Sequence, residues 1–322
     1  MSRRQFVSTT TEPSSPLGQN TASGRFGDKV FSSLSLTAGA LILAVLAIVA
    51  AFLVTQSIPA LTAGEGELSG GNANFFEFVW PLIVGTIIAS TIALVIATPV
   101  SIGVALFISH YAPRKLSQAI GYVIDLLAAI PSVVYGAWGM AFLGPAVVPI
   151  YIWLHENLSF IPFFSGPPSM AGRTILTAGI VLAVMVLPII TSLCREIFVQ
   201  TPKLHEEAAL ALGATRWEMI KMAVLPFARA GIMSGIMLGL GRALGETMAV
   251  TLVLSPGAFN WSLISTGNAT IPTEIALNFP EAFGLRQSEL IAAGLVLFVI
   301  TLVVNMIARW IISRHKEFSG AN

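Results

Sequence analysis

Charge is what this chain has least of. Only 10% of its 322 residues are Asp, Glu, Lys or Arg, against the roughly one quarter that keeps the surface of a soluble domain in water. With 55% hydrophobic residues and a mean hydropathy of +0.82, much of the surface is expected to face lipid. Cys194 is the single cysteine, which excludes an intrachain disulfide and a cysteine-based metal cluster. The histidines, His110, His155, His205 and His315, are scattered without metal-ligand spacing. No glycine is followed by lysine anywhere in the chain. The phosphate-cradling loop G-x-x-x-x-G-K-S/T is therefore missing, and the chain is not expected to bind or hydrolyse a nucleotide alone. A net charge of +1 offers nucleic acid no bulk attraction.

What is present is a set of apolar runs long enough to cross a hydrocarbon core of about 30 Å as helices. They cover residues 31–54, 80–109, 120–143, 174–193, 228–254 and 290–312. The expected fold is all-α and membrane-integral, with one transmembrane helix at 29–55 followed by a core of further spans over 80–313. The first 28 residues are rich in Ser, Thr, Pro and Gly and are expected to form a disordered cytoplasmic tail. They are too polar for a cleaved leader, so the first apolar run reads as a retained span. Pro99, Pro131 and Pro188 fall inside spans. Each frees a backbone carbonyl that a neighbouring helix or water must satisfy, through kinks around a pathway or through plain bends in a packed bundle.

Basic residues set the expected orientation. With the N-terminus inside, all but three of the 17 Lys and Arg residues lie on the cytoplasmic side. Arg173 and Arg286 lie outside and Arg242 within a span. The positive-inside rule then puts both termini in the cytoplasm. Long outer segments run over 55–79, 144–173 and 255–289, and the second holds a Pro-flanked apolar patch that suits a short interfacial helix. Segments of this size suit docking of an extracytoplasmic partner, and equally a tolerated loop.

The cytoplasmic loop at 195–229 is the most informative. Thr201-Pro202 reads as an N-cap followed by proline at the first helical position. Gly213 suits a left-handed helix stop, Thr215 with Glu218 a capping box, and Leu225-Pro226 the end of a second short helix. Two short helices joined by a rigid corner would present a lever to a soluble partner.

Arg242 and Glu246 sit inside the fifth span, where a charge costs about 3 kcal/mol on insertion scales. One helical turn separates them, so they share a face and can pair. A self-neutralising ion pair and an anion pathway are both open and not exclusive, since the arginine fork suits an oxyanion. Gly231, Gly235 and Gly239 recur once per turn, which allows close helix approach. The expected neighbour is a helix of a partner subunit, with packing inside this chain as the alternative. Asp125, Ser132 and Tyr135 are secondary candidates for lining a pathway; a structural role is the safer reading of each.

Glu207-Ala208-Ala209, Gly213 and Leu225-Pro226 resemble the EAA loop of ABC-importer permeases, EAA-x3-G-x9-I-x-L-P. The spacing matches throughout, and Ala223 departs where isoleucine is usual. Ala129-Ile130-Pro131-Ser132-Val133-Val134-Tyr135-Gly136, and the stretch from Gly241 to Val250, resemble phosphate-importer permeases of the PstC type. The resemblance implies a MetI-like five-helix core preceded by one extra helix, in the bacterial inner membrane. It implies a heterodimer with a PstA-like permease, two PstB-like ATPase subunits using ATP and Mg, and a PstS-like phosphate-binding protein outside. Glu207 and Ala208 would lie on the ATPase-docking surface, and Arg242 and Glu246 on the phosphate path. A proton-driven secondary transporter using Glu246 or Asp125, a non-transporting scaffold, and an importer of another oxyanion are the competing readings.

Overall fold

The computed structural model describes residues 24–64 and 66–315, with side chains from residue 27 to residue 310. The tail expected over residues 1–28 lies outside the described residues up to position 23; a helix begins at Gly24. The chain divides into two compact units, Met1–Phe52 and Leu53–Asn322. In the first, helix α1 (Gly24–Leu61) begins and presents exposed apolar side chains such as Phe31, Leu36 and Leu43.

The second unit is all-helical among the described residues, apart from one isolated bridge between Pro256 and Gly267. Its elements are α2 (Phe75–Leu106), α3 (Arg114–Ala128), α4 (Ser132–Trp138), α5 (Gly144–Leu158) and α6 (Ile175–Val199). They are followed by α7 (Lys203–Ala211), α8 (Arg216–Met219), α9 (Leu225–Leu244), α10 (Met248–Val253), α11 (Ile271–Asn278) and α12 (Leu285–His315). Six runs among the described residues are long and apolar enough to span a membrane: Gly27–Leu61, Phe75–Tyr111, Ser132–Leu158, Ile175–Val199, Arg216–Leu244 and Leu285–Trp310.

Helix α6 is the centre of the unit. Its side chains Val181, Val186, Ile190, Cys194 and Phe198 are fully buried, and α2, α3 and α9 pack around it. Small residues permit that closeness. On α2 the buried positions Ala89, Ala93 and Ala97 form one stripe. A Cβ added at Gly179 on α6 would come within 2.7 Å of Ile92 Cβ.

Two spans depart most from their expected limits, and a break explains each. The third was expected at 120–143, but the chain stops being helical between Ala128 and Ser132. Pro131 has no N–H to continue the helix and restricts the residue before it. The spanning helix is Ser132–Leu158, continuous through a wide turn at Gly139–Leu143. The apolar patch of the second outer segment is therefore largely the end of this span, and α3 is a separate helix. The fifth span was expected at 228–254; the helix breaks after Leu244 and resumes at Met248 as α10.

Candidate functional site

The expected loop is built as a corner followed by a long lever. Helix α7 carries Glu207 and Ala208 exposed and Ala209 buried at 7%. Its carbonyl at Ala209 accepts the N–H of Ala214, across Gly213, whose φ of +85° lies in the left-handed region that side chains with a Cβ avoid. Thr215 and Glu218 form the expected capping box, with Glu218 Oε2 accepting the Thr215 N–H at 2.8 Å. Thr201 does not cap α7: Pro202 holds that position, and Thr201 Oγ1 is buried without a partner.

Leu225-Pro226 does not end a separate short helix. A wide turn at Ile220–Val224 carries α8 directly into α9, and Pro226 falls in the first turn of α9, where its missing N–H costs little. Leu225 and Ala223 are partly buried, and Leu225 packs on the core. From Arg216 to Arg242 the chain is one helical run, about 40 Å long at about 1.5 Å per residue.

The glycine face of that helix meets α6 of the same chain. A Cβ at Gly239 would lie 2.9 Å from Ile190 Cδ1, one at Gly235 3.4 Å from Leu193, and one at Gly231 would overlap Ile197. The close approach expected toward a partner subunit is thus made within the chain. Gly241 has no neighbour within 4 Å of an added Cβ. With Arg242 it lines a cavity of about 920 Å³ between α6, α9 and α12.

Arg242 and Glu246 do not pair. Arg242 lies in the last turn of α9 and is exposed in the isolated chain, whereas Glu246 lies beyond the break and is buried at 9%. Glu246 Oε1 accepts the N–H of Ala249 at 3.1 Å, in the first turn of α10. At the other end of α10, Arg173 Nη2 donates to the carbonyl of Leu254 at 2.9 Å. The short helix thus has an acid at its N-terminus and a base at its C-terminus, both complementary to its dipole. Gly136 of α4 lets it approach, since a Cβ there would lie 2.7 Å from Ala249 Cα. Arg173 entered the sequence reading only as an outer charge; no local pattern links it to a carbonyl 81 residues away.

The secondary candidates divide. Tyr135 is buried and donates to the carbonyl of Leu127 at 2.8 Å, tying α4 across the break to α3. Ser132 opens α4, partly buried. Asp125 faces Arg195 at 3.8 Å between α3 and α6. At the α7 end of the bundle His110 meets Glu206 at 3.6 Å. At the opposite end Arg286 bridges Glu274 at 2.6 Å and the buried Glu289 at 2.9 Å.

Residues 97–317 match the family described as binding-protein-dependent transport system inner membrane component. The chain belongs to that family. It is 44% identical over 304 residues to the phosphate transport system permease protein PstC 2 of Mycobacterium tuberculosis, covering 88% of this chain and 91% of the relative. It is 40% identical over 305 residues to PstC of Mesorhizobium japonicum, covering 91% and 92%. These identities group it with the PstC phosphate transport permeases of the family. In fold it is similar to a solved bacterial ABC transporter involved in the import of the acidic polysaccharide alginate. That match has a TM-score of 0.55 at 20% identity and covers 90% of this chain and 99% of the other.

Proposed function

We propose that this chain is a non-catalytic permease subunit of an ATP-driven importer that carries inorganic phosphate into the cytoplasm. The observation that carries the reading is the unbroken helical run from Arg216, just past the corner at Gly213, to Arg242, which links a partner-facing loop to a cation inside a span. The loop displays Leu204, Leu212, Trp217 and Met222 as exposed apolar side chains around Glu207, a patch suited to a protein partner. That partner is a separate PstB-like ATPase, present twice, which uses ATP and Mg; this chain holds no cofactor. A PstA-like permease completes the membrane unit and a PstS-like binding protein delivers phosphate outside.

Both termini and the loop lie in the cytoplasm, in the orientation that the basic residues favour, and the membrane is the bacterial inner membrane. ATP-driven closure of the ATPase pair moves α7 and α8, and the α9 lever re-aims Arg242 between an outward and an inward mouth. Phosphate is carried because its interaction with Arg242 differs between the two states. Glu246 acts mainly by holding α10 beside that mouth.

The test is uptake of labelled phosphate by proteoliposomes containing this chain with its partner subunits. Uptake that needs ATP and fails with a hydrolysis-dead ATPase is expected. Uptake that ignores ATP and follows an imposed proton gradient overturns the reading in favour of a secondary transporter.

A further inference from the structure

The cavity beside Arg242 extends well beyond that residue, and its remaining polar lining has no part in the function argued so far. Faces of α9 and α12 form most of it, and Ile189 of α6 adds an apolar wall. Ser234, Gly241 and Arg242 come from α9, and Asn305 and Arg309 from α12, with apolar side chains such as Met237 and Leu302 between them. Along α9 the lining from Ser234 to Arg242 covers about 12 Å. The two helices run in opposite directions in the orientation proposed above, so Arg309 lies toward the cytoplasmic end and Arg242 nearer the middle of the membrane.

The chemistry of the lining has one sign. No Asp or Glu lines the cavity, and neither arginine forms an ion pair among the described residues. Asn305 interrupts an otherwise apolar stretch of α12. Among the described residues its amide makes no hydrogen bond, while the Ser234 hydroxyl donates to the Ala230 carbonyl at 3.0 Å. The free donors of the cavity are therefore two guanidinium groups with an amide between them. A polar amide facing hydrocarbon is unfavourable, and intramembrane polar groups generally face a bundle interior or a wet cavity.

We propose that Asn305 and Arg309 form a second oxyanion subsite on the cytoplasmic side of Arg242, through which the transported anion leaves. The proposal rests on the phosphate-import reading and deepens it. One deep cationic site would hold a phosphate firmly. Conduction needs sites weak and numerous enough for the ion to leave. An apolar wall carrying a few spaced donors meets that need.

The test uses Asn305→Cys in a Cys194→Ala background, which removes the single native thiol, in the complete complex reconstituted in liposomes. The probe is a membrane-impermeant methanethiosulfonate supplied on the ATPase side. Labelling is expected, slowed several-fold by inorganic phosphate but not by chloride of equal ionic strength. Arg309→Gln is expected to lower saturated uptake several-fold in a complex that still assembles and hydrolyses ATP, with Arg309→Lys restoring part of it. Labelling only by a lipid-soluble maleimide, or labelling that phosphate does not slow in a complex whose unmutated form imports phosphate, overturns the subsite and leaves the import reading standing. Protection by sulfate in place of phosphate supports the subsite and overturns only the choice of anion.

Discussion

Glu246 and Ala249 are joined by a hydrogen bond from the Ala249 N–H to Glu246 Oε1, 3.1 Å long and buried from solvent. This contact gives the acid a role other than neutralising Arg242, which lies one turn earlier in the chain but on the far side of a helix break. The arginine keeps its charge unpaired beside the cavity, and the glutamate fixes the short helix that begins where α9 stops.

Two substitutions at that acid separate its roles. Glu246→Gln keeps an acceptor for the Ala249 N–H but loses the charge that complements the α10 dipole, and is expected to cost only about 0.3–1 kcal/mol. Glu246→Ala removes the acceptor and is expected to cost about 1.5–3 kcal/mol, the range for a hydrogen bond to a charged group. Melting of the purified complex compares the two, and equal losses would contradict the capping role.

Arg173 holds the opposite end of α10 through the Leu254 carbonyl. Arg173→Met is expected to loosen α10 and lower uptake, with loss of about 1.5–3 kcal/mol of stability, and Arg173→Lys to recover part of both. Uptake and melting unchanged in Arg173→Met would show that α10 is held by packing on Gly136 alone.

Gly213 takes a positive φ at a corner with open space around it. Gly213→Ala therefore meets no clash, and its expected cost is the backbone penalty of about 1–2 kcal/mol, felt at the junction of α7 and α8. The measurement is ATP hydrolysed per phosphate imported, which is expected to rise as the two become uncoupled. An unchanged ratio would mean that the corner is not part of the transmission.

The glycines of α9 form a contrasting pair. Gly239→Val would press on Ile190 and is expected to destabilise by about 1–3 kcal/mol, as overpacking does. Gly241→Ala faces open space and is expected to be tolerated. Yields of folded protein after detergent extraction distinguish them.

The parts of this architecture written in short stretches of chain were legible in the sequence. Gly213 and the Thr215–Glu218 box announce themselves because caps and left-handed stops depend on residues a few positions apart. The third span was misplaced because α3 is apolar on one face, so an apolar run continues from it across Pro131 into α4. Conversely, the apolar residues after Gly144 looked like a loop because they sit among Pro145, Pro149 and Pro162. The break after Leu244 was hidden for a similar reason: the repeat of Gly231, Gly235 and Gly239 reads as a close-packing helix, and nothing local distinguished a packed helix from a broken one. The Arg173–Leu254 bond and the meeting of Asn305 with Arg242 around one cavity arise from tertiary contacts between distant segments, which no local pattern records.

In the proposed mechanism Arg242 carries the anion while the loop around Glu207 carries the energy. Its most direct test is ATP-dependent uptake of labelled phosphate by the complex bearing Arg242→Ala, with binding of the ATPase subunit measured on the same preparation. The predicted result is that uptake is abolished while the ATPase still binds as it does to the unmutated complex. Normal uptake by the Arg242→Ala complex would contradict it.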